Sequence, residues 1–225
     1  MSWFTIILNI FELAACIAGF LCWTKIRNSY WRWFPVYLAA IFLTECAGKY
    51  ALQVRNDLVL NVAIYKYWGI PIQFFFFYWL FHMKFNENSK NRWPLYAAAI
   101  YLLSLLSDIF SWPGFFYANI SKSGFLASSY AVGTILLVLL SLIYLFKFVK
   151  SDEAISFRSD MMFSVSLGLL LFYMLTLPFD MLRTTLYHNY REIFFIYWHA
   201  QYILDDMMYL MFIVAFVWGK IRVQK

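Results

Sequence analysis

The chain has 225 residues, of which 64% are hydrophobic, 23% aromatic and 13% charged, with a net charge of +6. Soluble domains carry nearer half apolar and a quarter charged residues, so this composition is that of an integral membrane protein. Seven spans of about 20 residues each leave room only for short connections and tails, which excludes a built-in kinase, nucleotidase or nucleic-acid-binding module.

Apolar runs at 3–23, 35–54, 60–83, 94–114, 124–149, 161–182 and 193–219 predict an all-α, seven-transmembrane-helix bundle forming a single membrane domain over 1–225. Nothing charged precedes Glu12, and no small-residue cleavage site lies ahead of Lys25. The first run is therefore expected to be a retained helix, with the chain starting at or near Met1. Lys and Arg in short loops set orientation. Twelve fall on one side of the membrane, in connections 1/2 (Lys25, Arg27, Arg32), 3/4 (Lys84, Lys90, Arg92), 5/6 (Lys147, Lys150, Arg158) and the tail (Lys220, Arg222, Lys225). Four fall on the other, Arg55, Lys122, Arg183 and Arg191. This bias predicts an outer N-terminus and a cytoplasmic C-terminus.

Ionisable groups at membrane depth are costly and mark function by default. Taken along the chain, they are Glu12 in span 1, Glu45 and Lys49 in span 2, Lys66 in span 3, Asp108 in span 4, Asp180 in span 6, and His199, Asp205 and Asp206 in span 7. In the expected topology all lie at the bilayer centre or in its outer half. Helical spacing groups Asn9, Glu12 and Cys16 on span 1, Tyr101, Ser104 and Asp108 on span 4, and Tyr173, Thr176 and Asp180 on span 6. On span 7 it groups His199, Gln201, Tyr202, Asp205, Asp206 and Tyr209. If these stripes converge, they line an outward-open polar cavity.

Structural readings stand beside the functional ones. Glu45 and Lys49 are spaced i,i+4 as an ion pair, Asp180 and Arg183 sit together at an interface, and Lys66 can snorkel to the headgroups. Adjacent Asp205 and Asp206 cannot both ionise cheaply in a span, so protonation, a cation, Lys49 or Lys66 must neutralise at least one. Pro71 and Pro178 interrupt spans 3 and 6 and free a backbone carbonyl in each. Cys16, Cys22 and Cys46 lie within helices as small apolar residues.

Span 7 has no lysine for a retinal Schiff base, and neither an Asp-Arg-Tyr after span 3 nor an Asn-Pro-x-x-Tyr in span 7 is present. His199 alone in span 7 does not meet the spaced histidines of ceramidase-like zinc hydrolases, so no cofactor is expected, retinal and zinc included. The stretches Tyr30-Trp31-Arg32-Trp33-Phe34-Pro35, Pro71-Ile72-Gln73-Phe74 and Met161-Met162-Phe163-Ser164-Val165-Ser166-Leu167-Gly168-Leu169-Leu170 resemble small uncharacterised seven-helix membrane proteins of bacterial genomes. That resemblance spans nearly the whole chain, implies no activity, and points to a bacterial inner membrane.

The functional expectation is a receptor-like or sensory membrane subunit. It takes a small polar ligand, a cation or protons at Glu12, Glu45, Lys49, Lys66, Asp108, Asp180, His199, Tyr202, Asp205 and Asp206. Besides the lipid bilayer, its expected partner is a separate cytoplasmic signalling protein on the basic inner loops, with no nucleic acid. The alternatives are a proton-coupled small-solute transporter, an intramembrane metal-dependent hydrolase, and a scaffold whose polar residues join helices.

Overall fold

A computed structural model describes residues 3–88, 91–110, 128–150 and 160–220. Lys90, Lys122, Arg158, Arg222 and Lys225, and the ends of expected spans 4 and 5 at 111–114 and 124–127, lie outside the described residues. The described chain is all-helical. Its helices are α1 (Trp3–Leu21), α2 (Trp23–Ile26), α3 (Trp33–Gln53), α4 (Leu58–Ile64), α5 (Ile70–Asn88), α6 (Trp93–Phe110), α7 (Ser128–Lys150), α8 (Met161–Asn189) and α9 (Arg191–Trp218). A 3-10 turn over Tyr30–Arg32 leads into α3, and a π turn over Tyr65–Gly69 joins α4 to α5.

Among the described residues, four segments are long and apolar enough to cross a membrane: Trp93–Phe110, Ser129–Lys150, Met161–Arg183 and Arg191–Trp218. They mark the chain as a membrane protein. Leu103, Phe110, Phe146, Ile196 and Trp218 are among the large apolar side chains they leave exposed, a surface that water would penalise and hydrocarbon accepts. Expected spans 1 to 3 are also helical, but α1 offers only the shorter apolar stretch Ile6–Leu21, Glu45 and Lys49 dilute α3, and the third run is divided by the π turn, its longest helix α5 carrying Gln73, His82, Lys84 and Glu87.

Local chemistry explains the breaks. Asn56 takes a left-handed φ of 53°, which asparagine tolerates better than most residues. Asp57 follows it as N-cap of α4, accepting the Leu60 amide at 2.9 Å. Pro71 has no N–H for the carbonyl four residues back, and its ring crowds that carbonyl. The π turn just ahead of it widens the ladder, with the Ile70 amide bonding to the Tyr65 carbonyl. Pro178, by contrast, sits inside an uninterrupted α8. That helix outruns its apolar stretch and ends at Asn189, so that Tyr190 alone separates it from α9.

The chain divides into two compact units. The first comprises Met1–Ala39, Val138–Thr176 and Phe195–Lys225. In it Phe34 packs edge-on to Phe212, with ring centroids 5.1 Å apart, and against Phe216 at 5.2 Å. Cys16 Sγ donates weakly to the Pro35 carbonyl at 4.0 Å. α8 and α9 run antiparallel, with Met161 against Gly219 and Gly168 against Met208 and Met211. Asp160 caps α8 by accepting the Phe163 amide and the Tyr144 hydroxyl, both at 2.9 Å.

The second unit comprises Ala40–Leu137 and Leu177–Phe194. Its core is aromatic: Phe74 stands 5.0 Å from Tyr101, 5.8 Å from Tyr130 and 6.2 Å from Tyr78, centroid to centroid. Gly133 admits this cluster, because a Cβ there would sit 2.9 Å from Phe74 Cε2. The Tyr78 hydroxyl donates to the Gly133 carbonyl at 2.9 Å, as a buried phenol must find an acceptor.

Candidate functional site

The candidate residues fall into two groups, one in each unit. Glu45, Lys49, Lys66, Asp108 and Asp180 belong to the second unit. Glu45 Oε2 accepts the Tyr65 hydroxyl at 2.8 Å and lies 3.4 Å from Lys49 Nζ, one helical turn along α3. Tyr65 reaches it because residue 48 is glycine: a methyl there would lie 2.6 Å from Tyr65 Cε2. The Gly48 carbonyl in turn accepts Asn61 Nδ2 at 2.8 Å. These bonds tie α3 to α4 and to the π turn.

Asp108, near the end of α6, accepts the backbone amide of Ser129 at 2.9 Å. It thereby satisfies a first-turn amide of α7, which has no partner within its own helix. Lys66 lies within charge–charge reach of Asp108, and its ammonium stands 5.7 Å from the centre of the Tyr67 ring. Asp180 is buried and accepts the Tyr130 hydroxyl at 3.2 Å. Each carboxylate of this group thus has a partner that joins helices.

Glu12, His199, Tyr202, Asp205 and Asp206 belong to the first unit. His199 does not turn inward: it is exposed on α9, with Nδ1 2.7 Å from the Phe195 carbonyl one turn back. Tyr202 is half-buried, its ring edge-on to Trp198. Glu12 is 1% exposed on α1. Cys16, one turn on, and Tyr37 of α3 both lie within its electrostatic reach. Tyr37 is buried and also within electrostatic reach of Asp205. Asp206 keeps one carboxylate oxygen, Oδ1, buried without a hydrogen-bond partner among the described residues. Continuing the α8/α9 register brings Tyr173, also buried, level with Asp206.

The arrangement of the first unit is thus a buried glutamate and an aspartate from two helices, both within electrostatic reach of one phenol from a third. Carboxyl and phenol groups of this kind have the chemistry for proton exchange or for hydrogen bonding to a small polar molecule. Among the described residues no group of three or more His, Cys, Asp and Glu side chains is disposed to hold a metal ion.

Tyr37, Tyr65 and Tyr130 were not singled out by the sequence, although each meets a candidate acid. In an aromatic-rich membrane chain a tyrosine reads as belt or core. The one usable signal was that a phenol within a span needs a polar neighbour. Comparison with protein-family models, curated proteins and solved structures gives no match to this chain.

Proposed function

We propose that this protein is a receptor-like or sensory subunit of a bacterial inner membrane, and that Glu12, Tyr37 and Asp205 form its sensing site, with Asp206 beside them. The ligand class is protons, or a small polar molecule bearing an amine or hydroxyl. The observation that carries the reading is Tyr37, enclosed in the first unit within electrostatic reach of acids on both α1 and α9. The acids of the second unit serve in bonds that join helices, whereas this group brings two acids from different helices to one phenol.

In this reading the chain crosses the membrane seven times, its N-terminus outside and its C-terminus in the cytoplasm. The twelve-to-four distribution of Lys and Arg supports that topology, and the helices found at all seven apolar runs are compatible with it. The signal passes to a separate cytoplasmic protein on the basic connections containing Lys25, Lys84 and Lys147. Thermal unfolding in lipid nanodiscs across about pH 4 to 8 tests the site. Glu12→Gln and Asp205→Asn should each flatten the pH dependence of the wild type; an unaltered dependence in both would remove the sensing role.

A proton-coupled transporter is the second reading, favoured by one feature. The π turn before Pro71 makes a discontinuous helix, as transporters use at their moving elements. Solute flux into proteoliposomes that Glu12→Gln abolishes would decide for it.

A further inference from the structure

The second unit contains polar atoms that its helix-joining bonds do not account for. Tyr101 on α6 is fully enclosed, and its hydroxyl has no hydrogen-bond partner among the described residues. Three rings close around it, Phe74 at 5.0 Å, Phe75 at 5.3 Å and Tyr78 at 5.9 Å. Thr134 on α7 is equally enclosed and its hydroxyl equally lacks a partner. The Tyr78–Gly133 hydrogen bond links the two: Tyr78 touches the Tyr101 ring, and its acceptor carbonyl belongs to the residue before Thr134.

A buried hydroxyl left unsatisfied is expensive, and native cores rarely tolerate it. A threonine can turn back to a carbonyl of its own helix; the rigid phenol of Tyr101 cannot. The Tyr78 hydroxyl lies within electrostatic reach of Tyr101, and after donating to Gly133 it keeps its acceptor lone pairs. The Gly133 carbonyl likewise keeps a second lone pair. The Tyr101 hydroxyl is thus a donor without an acceptor among the described residues, in a neighbourhood where the Tyr78 oxygen and the Gly133 carbonyl retain accepting capacity.

We propose that the α5, α6 and α7 core of the second unit holds a buried water site, in which one molecule accepts from the Tyr101 hydroxyl and bridges it to Tyr78, Gly133 and Thr134. Full enclosure by rings limits the ligand to the size of water, and the polar neighbours supply the three or so bonds that an internal water makes. The site lies on the face of α6 that carries Ser104 and Asp108, extending their polar file into the aromatic core.

The test is a double-mutant cycle on the full chain in nanodiscs. Tyr101→Phe and Thr134→Val each keep the shape while deleting a hydroxyl. If water bridges them, each lowers the melting temperature by about 2–4 °C, the double variant loses less than the sum, and Thr134→Ser behaves as wild type. A Tyr101→Phe protein as stable as wild type, or more so, overturns the proposal, because deleting a truly orphaned hydroxyl relieves its desolvation. Strict additivity overturns the shared site. A structure resolving ordered water should show one within hydrogen-bond distance of Tyr101 Oη, and an empty position there is equally decisive against it.

Discussion

Lys25 Nζ donates to the Phe216 carbonyl at 2.7 Å and lies 3.4 Å from the Val217 carbonyl, bonding the short helix after α1 to the last turn of α9. Carbonyls at a helix C-terminus have no partner within the helix and carry partial negative charge, so an ammonium is a good cap for them. Lys25→Met, which keeps the stem and removes the charge, should lower stability by about 1 kcal/mol. Chemical unfolding in detergent checks this, and Lys25→Arg should recover part of the loss.

Two glycines should resist even a methyl group. Gly133→Ala forces its Cβ to 2.9 Å from a Phe74 ring that Tyr78, Tyr101 and Tyr130 already hold in place. A cost of about 1–3 kcal/mol is expected. Gly48→Ala displaces Tyr65 and with it the Tyr65–Glu45 bond. Tyr65→Phe should therefore cost much less in a Gly48→Ala background than in the wild type, and unfolding of the four proteins in parallel reads this coupling.

Pro71→Ala restores an amide that the Tyr67 carbonyl can accept, and removes the ring that favours the π turn. The helix should regularise, with slower amide hydrogen exchange over residues 65–71. Unchanged exchange there would mean that the contacts of Tyr65 and Lys66 hold the wide turn without help from Pro71.

Apolar run length made the helices legible in the sequence, since a stretch such as Ser129–Lys150 has no other stable form in hydrocarbon. The Glu45–Lys49 pair was legible too, because i,i+4 spacing alone puts the two side chains together. The cap formed by Asp108 on Ser129, twenty-one residues away on another helix, was not. Nor were the bonds from Tyr65 to Glu45 and from Tyr130 to Asp180, which depend on how helices cross. Spacing along one helix grouped His199 with the acids of α9, yet its ring turns to the backbone on an exposed face. Periodicity tells which residues share a face and is silent on what that face meets.

Infrared difference spectroscopy on the purified protein in lipid, titrated from neutral to acid pH, addresses the sensing site most directly. Uptake of a proton by the Glu12, Tyr37 and Asp205 group should give a protonated-carboxyl band characteristic of a buried acid, diminished in Glu12→Gln and in Asp205→Asn but retained in Asp108→Asn. A band that survives both first-unit substitutions, or disappears only with Asp108→Asn, would contradict the assignment and move the titrating acid to the second unit.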